Sequence, residues 1–286
     1  MRYEAPETIE AAVALLGSGG RARPLAGGTD LLVQLRAGMV EPDLIVDLKK
    51  LPGLRTIAKE KGGFRIGAAV SGAELREHPE LRKVWPGVVE AANLIGSTQI
   101  QGRASLGGNL CNASPAADSV PALIAAGATV TIIGPGGQRE VPVEAVATGP
   151  GKTSLAKGEF VTSFFLPARS PRSADAYLRF IPRTEMDIAV VGCAVNLTLD
   201  QGGTCTAARV ALGAVAERAL LVSEAAAALV GSKLDAVAIE RLVAAARKAC
   251  RPIDDKRGTK VFRVDVAGVL AQRTAAIAAE RARGQK

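Results

Sequence analysis

Two glycine pairs, Gly27-Gly28 and Gly107-Gly108, each form a turn ahead of a helix, and they restrict the fold more than any other feature of the chain. Around the first, Arg23 to Ala26 reads as a short strand, Gly27, Gly28 and Thr29 as a turn, and Asp30-Leu-Leu-Val-Gln-Leu as a helix. Glycine has no Cβ, so its backbone N–H can approach an anion closely, and a helix start adds favourable dipoles. The second segment, Gln99 to Asp118, adds Ser105, Asn109 and Asn112 as side-chain donors. Its Ser114-Pro115 resembles an N-cap followed by proline at the first helical position, opening a helix whose first turn holds Asp118. A pyrophosphate suits such a pair of turns. The spacing alone equally fits a glycine turn before an ordinary capped helix, and the recurrence of the turn is what favours a ligand.

Neither segment is a G-x-G-x-x-G fingerprint after a strand, so a Rossmann dinucleotide site is not indicated. Gly149-Pro-Gly-Lys-Thr153 has the look of a Walker A ending, but Val146 stands where the loop needs its first glycine. It reads as a loop before a strand at 159.

The remaining pattern divides the chain into three units, 1–55, 56–172 and 173–286. In the first, residues 7–17 carry apolar side chains at helical spacing after Thr8, a candidate N-cap, and Asp43 to Leu48 is a strand. Residues 51–63 read as a joint with a loop. In the second unit a strand runs from Phe64 to Val70 and a helix opens at Pro86. Runs at 128–133 and 138–143 flank Gly134-Pro-Gly-Gly137 as a hairpin, and 159–166 is a strand. After a proline-bearing break at 167–173, three β-runs (176–182, 188–199, 204–213) precede two alanine-rich helices and a terminal helix from about Val261. Segregated strands and helices imply a separate α+β domain built on a three-stranded antiparallel sheet.

Composition removes several function classes. The formal charge is +8, but Lys and Arg are dispersed and aromatic residues are 3%, which gives nucleic-acid bases few stacking platforms. The four cysteines, Cys111, Cys193, Cys205 and Cys250, form no C-x-x-C pair, so neither a zinc site nor an iron–sulfur cluster is supported. The single histidine, His78, lies in a polar stretch and is expected on the surface, which leaves no His-based triad or metal site. No apolar run has the length of a membrane span and the first residues lack a signal-peptide core, so a cytoplasmic protein without a membrane span is expected.

The order AGGTDLL, IGSTQIQGRASLGGNLCNASPAADSVPAL, GPGKTSL with GEFVTSFFLP, FIPRTEMDIAVVGCAV and DDKRGTKVFR resembles the FAD-binding medium subunit of the xanthine dehydrogenase and carbon monoxide dehydrogenase family, over essentially the whole chain. The resemblance implies an α+β protein: a two-subdomain FAD-binding fold of the vanillyl-alcohol oxidase type plus the C-terminal α+β domain. It implies FAD as cofactor, with the pyrophosphate between Ala26, Gly27, Gly28, Thr29 and Asp30 on one side and Ser105, Gly107, Gly108 and Asn109 on the other. Asn112 and Asp118 match positions facing the ribityl chain and flavin. Met186-Asp-Ile188-Ala189 matches a segment passing the isoalloxazine ring. Two departures stand out: Ile95 replaces an aromatic residue against the flavin, and Gln101-Gly-Arg-Ala replaces a more basic run.

The implied partners are a small subunit with two-iron two-sulfur clusters, a large molybdenum-cofactor subunit and an external electron acceptor. The implied role is electron transfer rather than substrate chemistry, with no catalytic residue and no metal ligand in this chain. Two alternatives remain at this level. One is a self-contained FAD oxidoreductase, for which Tyr177 is the nearest phenolic candidate, and the other is an FAD-free assembly subunit.

Overall fold

The computed structural model describes residues 1–284. It has the expected mixed architecture, built as three main sheets in succession with helices between and after them, and a further two-stranded sheet.

The first unit is a three-stranded parallel sheet in the order β1-β3-β2: β1 (Arg2–Glu4), β2 (Ala22–Leu25) and β3 (Leu44–Asp47). The crossover from β1 to β2 is α1 (Ile9–Gly17), whose N-cap Thr8 accepts the Ala11 N–H at 3.3 Å. The crossover from β2 to β3 carries α2 (Leu31–Arg36), a single short helix with no buried residue. Strand β3 is buried at every position because α1 and the second unit cover it. This small core is completed from outside, by Ala69 and Phe160 of the next unit, as expected of a segment too short to bury a core alone.

The second unit is a five-stranded antiparallel sheet in the order β4-β5-β10-β6-β7. Its strands are β4 (Ile57–Glu60), β5 (Gly63–Gly67), β6 (Thr129–Gly134), β7 (Gly137–Pro142) and β10 (Phe160–Leu166). Strand β4 lies within the stretch expected to be a joint. It is an edge strand whose charged, half-exposed residues give little hydrophobic signal. Between β5 and β6 run α3 (Gly72–Glu77), α4 (Pro79–Val84), α5 (Pro86–Ala92), α6 (Thr98–Gln101), α7 (Leu106–Cys111) and the fully buried α8 (Ser119–Ala126). The Walker-like Gly149–Thr153 stretch forms a two-stranded hairpin, β8 (Ala147–Gly149) with β9 (Lys152–Thr153). His78 is not a free surface residue. It is half-buried, its Nδ1 accepts the Leu81 N–H at 3.1 Å to cap α4, and its ring meets Phe64 edge-on at 5.9 Å.

The third unit pairs β11 (Ser173–Phe180), β12 (Val191–Leu199) and β13 (Cys205–Gly213) antiparallel, and the two-residue β14 (Leu220–Leu221) adds a fourth strand at the edge. The helices α9 (Ser223–Leu229), α10 (Ala236–Ala249) and α11 (Lys260–Gly284) follow, with α11 packed along β11 and β12. Alanines at 267, 271, 275, 278, 279 and 282 are buried in that seam, where small side chains let the helix sit close to the sheet.

Polar contacts lock the third unit onto the second. Arg169 donates to Asp175 Oδ1 at 2.8 Å and Asn196 Oδ1 at 2.7 Å, with its guanidinium 3.9 Å from the centre of the Trp85 ring. The other Asp175 oxygen accepts the Val88 N–H at 3.0 Å. A Cβ on Gly87 would lie 2.6 Å from that oxygen, which explains the glycine. No helix among the described residues is long and apolar enough to cross a membrane.

Candidate cofactor site

The two glycine segments face each other across a cleft between the first two units, with about 1020 Å³ of empty space, part of it open to solvent. Its first wall is the chain from β2 through the 26–30 turn into α2. Gly27 touches the backbone of Arg103 and Ala104 so closely that any Cβ would overlap the Arg103 carbonyl. Gly28 sits at φ +81°, in the left-handed region that favours glycine. Within this turn the backbone N–H groups of Gly27, Gly28, Thr29 and Asp30 have no protein hydrogen-bond partner among the described residues. Four consecutive free donors on a cleft wall form a ready receptor for anionic oxygens.

The second wall works differently from the sequence expectation. Gly107 N–H is already given to the Ala68 carbonyl at 3.1 Å, and Gly108 N–H to Ser105 Oγ at 3.2 Å. The anion-donor role expected of these two N–H groups is therefore corrected: α7 offers side chains instead. Ser105 Oγ accepts from Gly108 as the N-cap, and its own proton has no protein acceptor among the described residues. Asn109 Oδ1 accepts both the Ser119 N–H at 3.1 Å and the Ser119 hydroxyl at 2.6 Å, which leaves the Asn109 NH₂ without a protein acceptor. Both helices at the cleft have six residues, so a helix dipole contributes little and the turn donors carry the site.

The glycines of the second pair have separate causes. A Cβ on Gly107 would come within 2.6 Å of the Ala68 carbonyl oxygen, so this glycine serves packing of α7 on the second sheet. A Cβ on Gly108 would meet only Ser105 Oγ, at 3.3 Å, and otherwise points into the cleft.

Ala26, Gly27, Gly28, Thr29, Asp30, Ser105, Gly107, Gly108, Asn109 and Asn112 all line the cleft. Asp30 is held above its ordinary carboxylate range by desolvation at the wall. Asp118 does not line it. Its carboxylate is buried against the third unit, accepting the Tyr177 hydroxyl at 2.9 Å and Arg179 Nη1 at 2.7 Å. Burial pushes its pKa up to about 6, with the Arg179 charge opposing. Ser114-Pro115 likewise forms a turn, and α8 begins at Ser119, capped by Asn109 from a distance. Asp118 thus forms a buried link between units. Ile188 also stands outside the cleft, exposed on the 181–190 loop, where Arg183 and Arg257 hold the neighbouring Asp187 well below the usual carboxylate range.

Comparison with known proteins places this geometry. Residues 1–169 match the family described as FAD binding domain in molybdopterin dehydrogenase, and residues 176–278 match the CO dehydrogenase flavoprotein C-terminal domain. The chain belongs to the FAD-binding medium subunits of the molybdopterin dehydrogenases. It is 33% identical to the carbon monoxide dehydrogenase medium chain of Afipia carboxidovorans over 98% of this chain and 97% of that one. It is 31% identical to the xanthine dehydrogenase FAD-binding subunit of Escherichia coli, over 99% and 97%. Among solved structures, CO dehydrogenase from Oligotropha carboxidovorans superposes with a TM-score of 0.95 at 33% identity, covering 98% of both chains. Quinoline 2-oxidoreductase from Pseudomonas putida does so at 0.91 and 29% identity, covering 99% and 98%.

In this medium subunit the cleft also recruits residues that the sequence reading passed over. Gln34, one helical turn beyond Asp30 and hence on the same face, donates to Asn112 Oδ1 at 2.9 Å and so ties α2 to the end of α7. That i, i+4 spacing was the available signal. Leu54, Ala69 and Phe160 supply apolar wall from three separate segments of the chain, which no local pattern connects. Cys111 lines the cleft as well, but burial pushes its thiol up to about 12, leaving it protonated and unreactive.

Proposed function

We propose that this chain is the electron-transfer component of a molybdenum-cofactor-dependent dehydrogenase complex, taking electrons from a small two-iron two-sulfur partner and handing them to an external acceptor. Substrate oxidation would belong to a large molybdenum-cofactor partner. The observation that carries this reading is the row of free donors from Gly27 to Asp30 facing Ser105 and Asn109 across one cleft. The names of the relatives, medium chain and FAD-binding subunit, support the multi-subunit setting.

In this reading the 26–30 turn and the Ser105 and Asn109 side chains hold the pyrophosphate of FAD. Gly107 gives α7 its close seat, and Gly108 keeps the space clear. The Asp30 carboxylate, an acceptor only, suits hydroxyl groups rather than phosphate oxygens, so its backbone N–H is the useful anion donor. Asn112, braced by Gln34, faces the ribityl chain, and Ile95 supplies an aliphatic wall. Asp118 and Ile188, outside the cleft, are not among the residues proposed to hold the cofactor. FAD, when bound, supplies the redox chemistry, and the protein orients it and sets its surroundings.

A self-contained oxidoreductase would need its own acid or base near the ring. Tyr177 is fully buried with its hydroxyl committed to Asp118, and Cys111 is locked in its protonated form. The test is direct. Purified alone, the chain should release one FAD per polypeptide on denaturation and show no turnover of hydroxylase substrates, with turnover appearing on co-expression with both partners. Robust oxidation of an organic substrate by this chain and FAD alone would refute the subunit reading.

A further inference from the structure

The turn that offers four free donors is itself held by a chain of side chains behind it. Parallel pairing places Leu25 opposite Asp47, and the Leu48 N–H continues the ladder to the Leu25 carbonyl at 2.9 Å. Lys49, two residues past the end of β3, therefore comes beside Ala26, the residue just past the end of β2. Lys49 Nζ donates to the Ala26 carbonyl oxygen at 3.0 Å and to Asp47 Oδ1 at 2.6 Å. The same carboxylate oxygen accepts the Lys49 backbone N–H at 3.0 Å, and Asp47 Oδ2 accepts the Tyr3 hydroxyl from β1 at 2.5 Å.

The ammonium is mostly buried, with 23% of its side chain exposed, and the carboxylate has 10%. Burial acts to raise the Asp47 pKa, but the hydrogen bonds from Lys49 and Tyr3 outweigh it and hold the carboxyl below its ordinary range. The Tyr3 hydroxyl, hydrogen-bonded to that carboxylate, titrates above its ordinary value and stays a donor.

A trans peptide points its carbonyl and the following N–H in opposite directions, and no peptide in the described chain is cis. With the Ala26 carbonyl drawn back onto Lys49, the Gly27 N–H is turned the other way. Lys49 does not line the cleft, whereas Ala26 and Gly27 do. We infer that Lys49, held by Asp47 and Tyr3, is a positioning residue for FAD: it fixes the Ala26–Gly27 peptide so that the Gly27 N–H faces the pyrophosphate, and it sets a positive charge directly behind the donor row. The inference rests on the FAD reading above and deepens it. Without the ammonium the carbonyl is free to swing toward the cleft, where its lone pairs would repel phosphate oxygens and remove one donor together.

The experiment compares the wild-type chain with Lys49→Met, Lys49→Arg and Tyr3→Phe. FAD affinity is read by quenching of flavin fluorescence, the phosphorus-31 resonances of bound FAD report the pyrophosphate surroundings, and melting of the FAD-free chain reports the fold. Lys49→Met is expected to bind FAD about tenfold or more weakly, the loss of one charge-assisted contact, with displaced phosphorus resonances. Lys49→Arg, which keeps the charge and a donor, is expected to recover most of the affinity. Tyr3→Phe leaves the lysine in place but frees the carboxylate, and should weaken binding a few-fold with phosphorus shifts in the same sense. If Lys49→Met does not fold, the Tyr3→Phe result decides. FAD affinity within twofold of wild type in Lys49→Met, or weaker binding with unmoved phosphorus resonances and no rescue by arginine, overturns the positioning role. A wild-type chain that binds no FAD refutes the cofactor reading itself, an outcome distinct from equal binding by all four proteins.

Discussion

Replacing Gly108 by valine separates cofactor binding from folding, because the structure gives this glycine a different neighbour on each count. Its surroundings are simple: a Cβ meets only Ser105 Oγ, at 3.3 Å, and then open cleft. Within α7, valine gains a few tenths of a kcal/mol over glycine in helix propensity, so the FAD-free fold should change by no more than about 1 kcal/mol. Bound pyrophosphate, however, would meet three added carbons where Ser105 and Asn109 offer their donors. Loss of one charge-assisted hydrogen bond costs about 1.5–3 kcal/mol, or roughly ten- to a hundredfold in affinity. Gly107→Ala is the control. Its Cβ would lie 2.6 Å from the Ala68 carbonyl oxygen and 2.8 Å from the Ala68 Cβ, an overpacking that costs about 1–3 kcal/mol whether or not FAD is present. Denaturant melts of the FAD-free proteins, with flavin titration, check both. Wild-type FAD affinity in Gly108→Val, or equal destabilisation by the two substitutions, would refute the assignment of one glycine to the cleft and the other to packing.

Asp118→Asn keeps the size of the side chain and removes a charge that burial already disfavours, so it should cost only the carboxylate's hydrogen bonds to Tyr177 and Arg179, about 1–3 kcal/mol, and should leave the flavin absorption spectrum unchanged because Asp118 lies outside the cleft. Its folded pKa of about 6 lies above the ordinary 3.8, so the folded state binds the proton more tightly. The Asp118 contribution therefore falls as pH rises through that window and is most favourable below it; denaturant melts from pH 4 to 7 should show this component in wild type and not in Asp118→Asn. Gln34→Ala removes the strut to Asn112, which should cost about 1 kcal/mol and speed FAD release, as measured by stopped-flow fluorescence.

Much of this was legible in the sequence because it was local. Thr8 as a cap, the hairpin around Gly134–Gly137 and the first glycine turn follow from residue type and spacing within one segment, whereas Gly107 and Gly108 lie inside α7 and not in a turn ahead of it. What escaped was tertiary. Asn109, read as a donor to the ligand, also caps α8 ten residues on and so displaces the Ser114-Pro115 cap that the local pattern suggested. Asp118 carries the right charge at the right spacing for a site residue, but its partners come from β11, 59 and 61 residues away. Lys49 joined the donor turn through strand register, which sequence periodicity does not specify. Edge strand β4 escaped for the opposite reason, since its pairing is made by backbone while its side chains stay half in water.

The donor row itself offers the most direct measurement. In the FAD-free chain the amides of Gly27, Gly28, Thr29 and Asp30 have no protein acceptor and should exchange rapidly with deuterated solvent. Stoichiometric FAD should slow exchange in segments covering residues 26–30 and 105–112, and nowhere else by as much. One equivalent of FAD bound with no protection in those two segments would contradict the site, and absence of FAD binding under the same conditions would contradict the assignment of the cofactor.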